Sequence, residues 1–145
     1  MLFRSSLPTV KVVNRFLEKG HFGTIFLGID STLFARDILA ARGIHFYFSS
    51  AVPDPRTSPI QMAKDYLTDL ALLNKNYEPN VLSFAYYISA AILVDALKNI
   101  QEPFTKEKII AYIEMMKEKS LNGFVVNFDA QTRHAFGNDV SIIKG

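Results

Sequence analysis

The sequence predicts an α/β chain in two parts, a strand–helix–strand first third and a helix-rich remainder that ends in strands. Three observations carry this. The runs "TIFLGI" (24–29) and "IHFYFSS" (44–50) are β-branched and aromatic, and a helical pattern lies between them, the order of a parallel sheet with crossover helices. Next comes "VPDPRTSP", in which Pro53, Pro55 and Pro59 break any regular element and mark a crossing. Beyond it the pattern turns helical for three segments before strands return.

In chain order, Leu2–Phe3 reads as the stub of a strand. Pro8 suits a first helical turn, Val10, Val13, Phe16 and Leu17 recur at helical spacing, and Gly20 closes that helix. After the strand 24–29, Asp30, Ser31 and Thr32 offer cap residues. Leu33, Phe34, Ile38 and Leu39 then form the inner face of a second helix that Gly43 ends. Past the crossing, Ser58–Pro59 starts a helix with Ile60, Ala63, Leu67, Leu70 and Ala71 on one face. "PNVLSFAYYISAAILVDAL" (79–97) is the next helix. "PFTKEKIIAYIEMMKEKS" (103–120) is a third, capped by Thr105, with Ile109, Ile110, Ile113 and Met116 inside. "NGFVVNFD" reads as a strand with Phe124, Val126 and Phe128 on one face, and "DVSIIKG" as the last strand.

Composition narrows the function. The 145 residues carry 16 basic and 14 acidic side chains, a formal charge of +2, and no basic stripe that could follow a phosphate backbone, so no nucleic-acid partner is expected. Cysteine is absent, which excludes disulfides and thiolate metal sites. The first residues hold no apolar core of the length an export signal needs. The apolar run from Asn80 to Asp95, interrupted by Ser83 and Ser89, is shorter than the ~18–20 residues of a bilayer span and is read as core helix.

No phosphate loop, dinucleotide loop or nucleophile elbow occurs, and His21, His45 and His134 are not spaced with one another or with a carboxylate. The chain is therefore expected to be non-catalytic, with no cofactor and no metal. Asp30 draws interest because ligands bind outside the carboxyl ends of strands in open sheets, where a carboxylate can pair with an ammonium or hydroxyl; it and Ser31 serve equally as helix caps. Tyr86 and Tyr87 point about 100° apart on a helix, so at least one faces a cleft or solvent.

Three segments, "SSAVPDP" (49–55), "PNVLSFAYYISAAILVDALKN" and "GFVVNFD", resemble in order and spacing the periplasmic solute receptors of ABC transporters, in the group of the leucine/isoleucine/valine-binding protein. The helix pattern is carried by Phe84, Tyr87, Ala90, Ala91, Leu93, Asp95 and Leu97, and the strand by Gly123 and Phe128. "VKVVNRFLEKGHFGTIFLGID" is similar to the family's second-lobe helix and strand.

The resemblance implies a partial type I periplasmic-binding fold, an α/β flytrap whose two lobes close on a solute. It makes residues 1–50 the end of a second lobe, 51–55 a hinge crossing, 56–137 a first-lobe part and 138–145 a return strand. It implies a periplasmic solute such as a branched-chain amino acid, an ABC permease partner, and ligand contacts at Asp30, Ser31, Leu82, Ser83 and Phe84. Asp30 would meet the α-amino group. The front of the first lobe has no counterpart here, so at most half of a site is expected, and a turn glycine common after "FD" is replaced by Ala130, Gln131 and Thr132. A lone piece of this fold would expose sheet edges and apolar faces, so association as a homodimer is expected, and the alternative expectation is a truncated, receptor-like homodimer that acts structurally and binds no amino acid. Without an export signal, the cytoplasm stays open beside the periplasm, as does an intracellular regulator with a receptor-like domain.

Overall fold

The computed structural model describes residues 6–20, 25–27, 43–73, 76–132, 134–136 and 140–144. The strand stub at Leu2–Phe3, the helix expected from Leu33 and the residues Asp30 and Ser31 lie outside them. Contacts divide the chain into two units, Met1–Pro53 with Val140–Gly145, and Asp54–Asp139.

The first unit contains helix α1 (Ser6–Glu18) and strands β1 (Ile25–Leu27), β2 (Phe46–Ser50) and β6 (Ser141–Lys144). α1 buries Val10 and Val13 but leaves Phe16 exposed. Its chain turns at Gly20, where φ is +77°, the left-handed conformation in which a side chain would be strained. β2 is the central strand. β1 runs parallel to it, pairing Ile25 with Phe46 and Leu27 with Phe48. β6 runs antiparallel, pairing Phe48 with Ile143 and Ser50 with Ser141. The sheet is thus mixed, with an antiparallel edge added to the parallel pair the sequence predicts. The period of two is clean on β2: Phe46, Phe48 and Ser50 are buried, while Tyr47 and Ser49 are half-buried. Ser50 keeps its buried hydroxyl satisfied by accepting the Val52 N–H at 3.2 Å.

The second unit opens on the Pro-dense turn. Asp54 organises it: its carbonyl accepts the Thr57 and Ser58 N–H groups. Its carboxylate takes the Arg56 N–H and the guanidinium in a forked pair, which raises the affinity of Arg56 for its proton. Helices α2 (Gln61–Leu73), α3 (Val81–Asn99) and α4 (Lys106–Glu114) follow, then an antiparallel sheet of β3 (Lys119–Leu121), β4 (Phe124–Asp129) and β5 (His134–Phe136) with β4 in the middle.

Four expectations are corrected here. α2 buries Met62, Ala63 and Tyr66, whereas Leu67 and Leu70 are half-buried and Ala71 is exposed. The large ring of Tyr66, once its hydroxyl is bonded, rotates the inner face toward itself. α4 stops at Glu114, with Met115 as its C-cap and Met116 buried beyond its end, and Lys119–Leu121 is strand rather than helix. Those three residues are recruited by a two-residue hairpin at Asn122–Gly123, both at positive φ, which pairs Leu121 with Phe124. α3 is not mostly core: it buries the single stripe Phe84, Ile88, Ile92 and Ala96, and Ala90 is exposed. Finally, α3 is 19 residues long and, by length and composition alone, reaches a bilayer span, so the length argument against one does not hold.

On β4, Phe124 and Val126 are buried and Phe128 half-buried, as the alternation predicts. After Asp129 no glycine is needed, because the Asp129 carboxylate accepts the Gln131 and Thr132 N–H groups and forms the turn itself, which also lowers its pKa.

Candidate functional site

The first turn of α3 is built by its cap. Asn80, extended at φ −146°, accepts the Ser83 N–H on Oδ1 at 2.9 Å, a bond that satisfies an otherwise unpaired helix-start donor. Ser83 Oγ donates to the Asn80 carbonyl at 3.1 Å and lies 2.6 Å from the Tyr66 hydroxyl, which in turn accepts the Asn80 N–H. Tyr66 therefore ties α2 to the start of α3. Its ring lies 5.2 Å from Phe84 and 5.5 Å, edge to face, from Tyr87.

This places three of the expected ligand residues. Leu82 is 47% exposed, Ser83 is half-buried with its hydroxyl committed to the cap, and Phe84 has no exposed surface. Phe84 thus stands behind the turn as its packing support. Asp30 and Ser31 lie outside the described residues, so only the α3 contribution has a described geometry. Of the adjacent tyrosines, Tyr86 is 68% exposed and Tyr87 half-buried, the divergence that helical spacing requires.

Beside the turn, between α2 and α3, is a cavity of about 800 Å³. Tyr66, Tyr77, Tyr86 and Tyr87 line it together with Asp69 and Ser83, and Leu70, Leu72 and Leu73 complete its apolar wall. The Tyr87 hydroxyl donates to Asp69 Oδ2 at 2.7 Å. Burial first, and the neighbouring carboxylate second, push the Tyr87 pKa up to about 12. Tyr66, Asp69 and Tyr77 were not singled out in the sequence. Tyr66 and Asp69 sit at helical spacing from one another, a pattern that also fits an ordinary amphipathic helix and so carries no chemical signal.

Farther along α3, Asp95 Oδ2 accepts from both Tyr112 OH (2.9 Å) and Lys119 Nζ, and Lys119 also donates to Tyr112. The carboxylate is the main reason the Lys119 pKa is raised. This half-buried triangle pins α4 and β3 to α3. His45 is exposed, and among the described residues no group of three His, Asp or Glu could hold a metal.

The sequence matches no family model and no curated protein. Its fold does match solved structures. A possible leucine/isoleucine/valine-binding protein from Rhodopirellula baltica SH 1 superposes with a TM-score of 0.78 at 16% identity, covering 95% of this chain and 37% of its own. This chain has the fold of the periplasmic ligand-binding receptors. An extracellular ligand-binding receptor from Verminephrobacter eiseniae ef01-2 gives a TM-score of 0.76 at 17% identity, over 92% of this chain and 38% of that one. A substrate-binding periplasmic protein from Ralstonia solanacearum gives 0.78 at 12% identity, over 95% and 40%. The chain spans about two fifths or less of each receptor's length, so it carries part of the type I receptor fold.

Proposed function

We propose that the chain is part of an amino-acid-type solute-binding protein of an ABC transporter. It binds a small periplasmic solute without catalysis and delivers it to a permease. The observation that carries this is the receptor fold, retained over 95% of the chain at a TM-score of 0.78. In this reading residues 1–50 and 138–145 belong to one lobe, 56–137 to the other, and 51–55 to the hinge between them. Leu82 and Ser83 offer the α3 surface of the cleft and Phe84 supports it. Asp30 and Ser31 supply the opposite side, with Asp30 attracting a ligand ammonium.

Thermal melts in the presence of leucine, isoleucine or valine test the reading. The melting temperature should rise with ligand concentration, as it does when a ligand binds only the folded state. Asp30→Asn should flatten that rise for ligands bearing an α-ammonium. An unchanged melting temperature with all three ligands contradicts the proposal, and an unchanged response in Asp30→Asn reduces Asp30 to a helix cap.

One observation favours a second reading, a homodimer with a structural role. Leu82, Tyr86, Leu93, Val94 and Leu97 are 36–68% exposed on the side of α3 away from its buried stripe, and exposed apolar residues grouped on one side suit an interface. Light scattering at twice the 16.3 kDa chain mass, with no melting response to amino acids, supports it over the first.

A further inference from the structure

The tyrosine-lined cavity between α2 and α3 has a chemistry of its own, separate from a cleft that needs Asp30. Among the residues lining it, Asp69 alone carries a charge. The phenols nearest Asp69 are already engaged, Tyr87 with the carboxylate and Tyr66 with Ser83. Tyr87 stays protonated well past neutrality. The Tyr87 bond uses Oδ2 of Asp69, so the second carboxylate oxygen remains for a ligand. Tyr66, Tyr77, Tyr86 and Tyr87 line the cavity, and a tyrosine ring attracts a cation through the negative face of its quadrupole. Every one of these features favours a positive charge and disfavours an anion. A neutral apolar occupant would strip water from Asp69 without replacing its hydrogen bonds. The volume, about 800 Å³, far exceeds a bare ammonium and suits a ligand with an apolar body against Leu70, Leu72 and Leu73.

We propose that this pocket binds an organic cation, a primary or quaternary ammonium joined to an aromatic or branched apolar group. The ammonium lies at Asp69 among the tyrosine rings. The inference goes beyond the solute-cleft reading and stands on the second unit alone.

Calorimetric titration of the full chain with 2-phenylethylammonium tests it, with 2-phenylethanol and 3-phenylpropionate as neutral and anionic bodies of similar size. The ammonium should bind about tenfold more tightly than the alcohol, and the propionate more weakly still. Asp69→Asn should bring the ammonium down to the affinity of the alcohol, and Tyr86→Ala should weaken both. Both positions are exposed, and melting curves establish that each variant is folded. Equal affinity for ammonium and alcohol, an Asp69→Asn variant with undiminished ammonium binding, or no ammonium binding at all overturns the proposal. Failure here is distinguishable from failure of the solute reading. Because leucine also joins an ammonium to a branched apolar group, the variants separate the sites: a leucine response lost in Asp30→Asn and kept in Asp69→Asn, with no amine binding, loses only this pocket, and amine binding lost in Asp69→Asn, with no leucine response, loses only the cleft.

Discussion

Tyr66 shows how one side chain can hold an element pair together. Its ring packs on Phe84 and Tyr87, and its hydroxyl joins the Ser83–Asn80 cap, so the apolar and polar halves act at the same junction. The residues behind it carry the stability. Phe84→Ala removes a fully buried ring and should cost about 3–5 kcal/mol in chemical denaturation, whereas Tyr86→Ala, one turn face away and exposed, should change stability by less than about 0.5 kcal/mol. Tyr87 gives a pH prediction. Its folded pKa, about 12, lies above the ordinary tyrosine value, so the folded state keeps a proton that the unfolded state releases. That stabilisation is complete below about pH 10 and is lost as pH rises toward 12. Ultraviolet titration of phenolate should show one late-titrating tyrosine that disappears in Tyr87→Phe. The sequence made the divergence of Tyr86 and Tyr87 legible because helical geometry alone dictates it. It hid the role of Phe84, since an aromatic at a helix start looks the same whether it faces a ligand or the core.

At the scale of elements, the hairpin at Asn122–Gly123 explains the main misreading. "KEKS" has the composition of a helix end, yet Asn-Gly is the strongest short hairpin signal and it captures Lys119–Leu121 as β3. The turn also sits over the start of α2: the Asn122 carbonyl accepts the Met62 N–H, and Asn122 Nδ2 reaches Asp65. Gly123 is at φ +84°, and a Cβ there would stand 3.4 Å from Cβ of Ile60. Gly123→Ala should therefore destabilise the chain by about 1–2 kcal/mol in denaturant melts, from the left-handed strain alone. Amphipathic position was legible only in part for α1, where helical spacing picks out the buried Val10 and Val13 together with the exposed Phe16. It was not for α3, which is apolar on two flanks, so no pattern could say which flank is buried.

At the scale of the whole molecule, β1, β2, the Pro-rich crossing, the three helices after it, β4 and β6 were readable, whereas β3 and β5 were not, and the segments that carry the receptor resemblance belong to a fold that the solved structures match. The direction of the last strand was not readable. "SIIK" alternates equally well in a parallel or an antiparallel pairing, and only a partner strand more than 90 residues back in the chain decides it. That return of the tail to β2 is what makes the first unit a discontinuous piece of chain, and the functional reading rests on it. Backbone nuclear Overhauser contacts across β6 and β2 test it most directly. They should connect Phe48 with Ile143 and Ser50 with Ser141 in antiparallel register; β6 found instead against β4 or β5, or unpaired, would contradict the receptor fold and the solute-binding reading built on it.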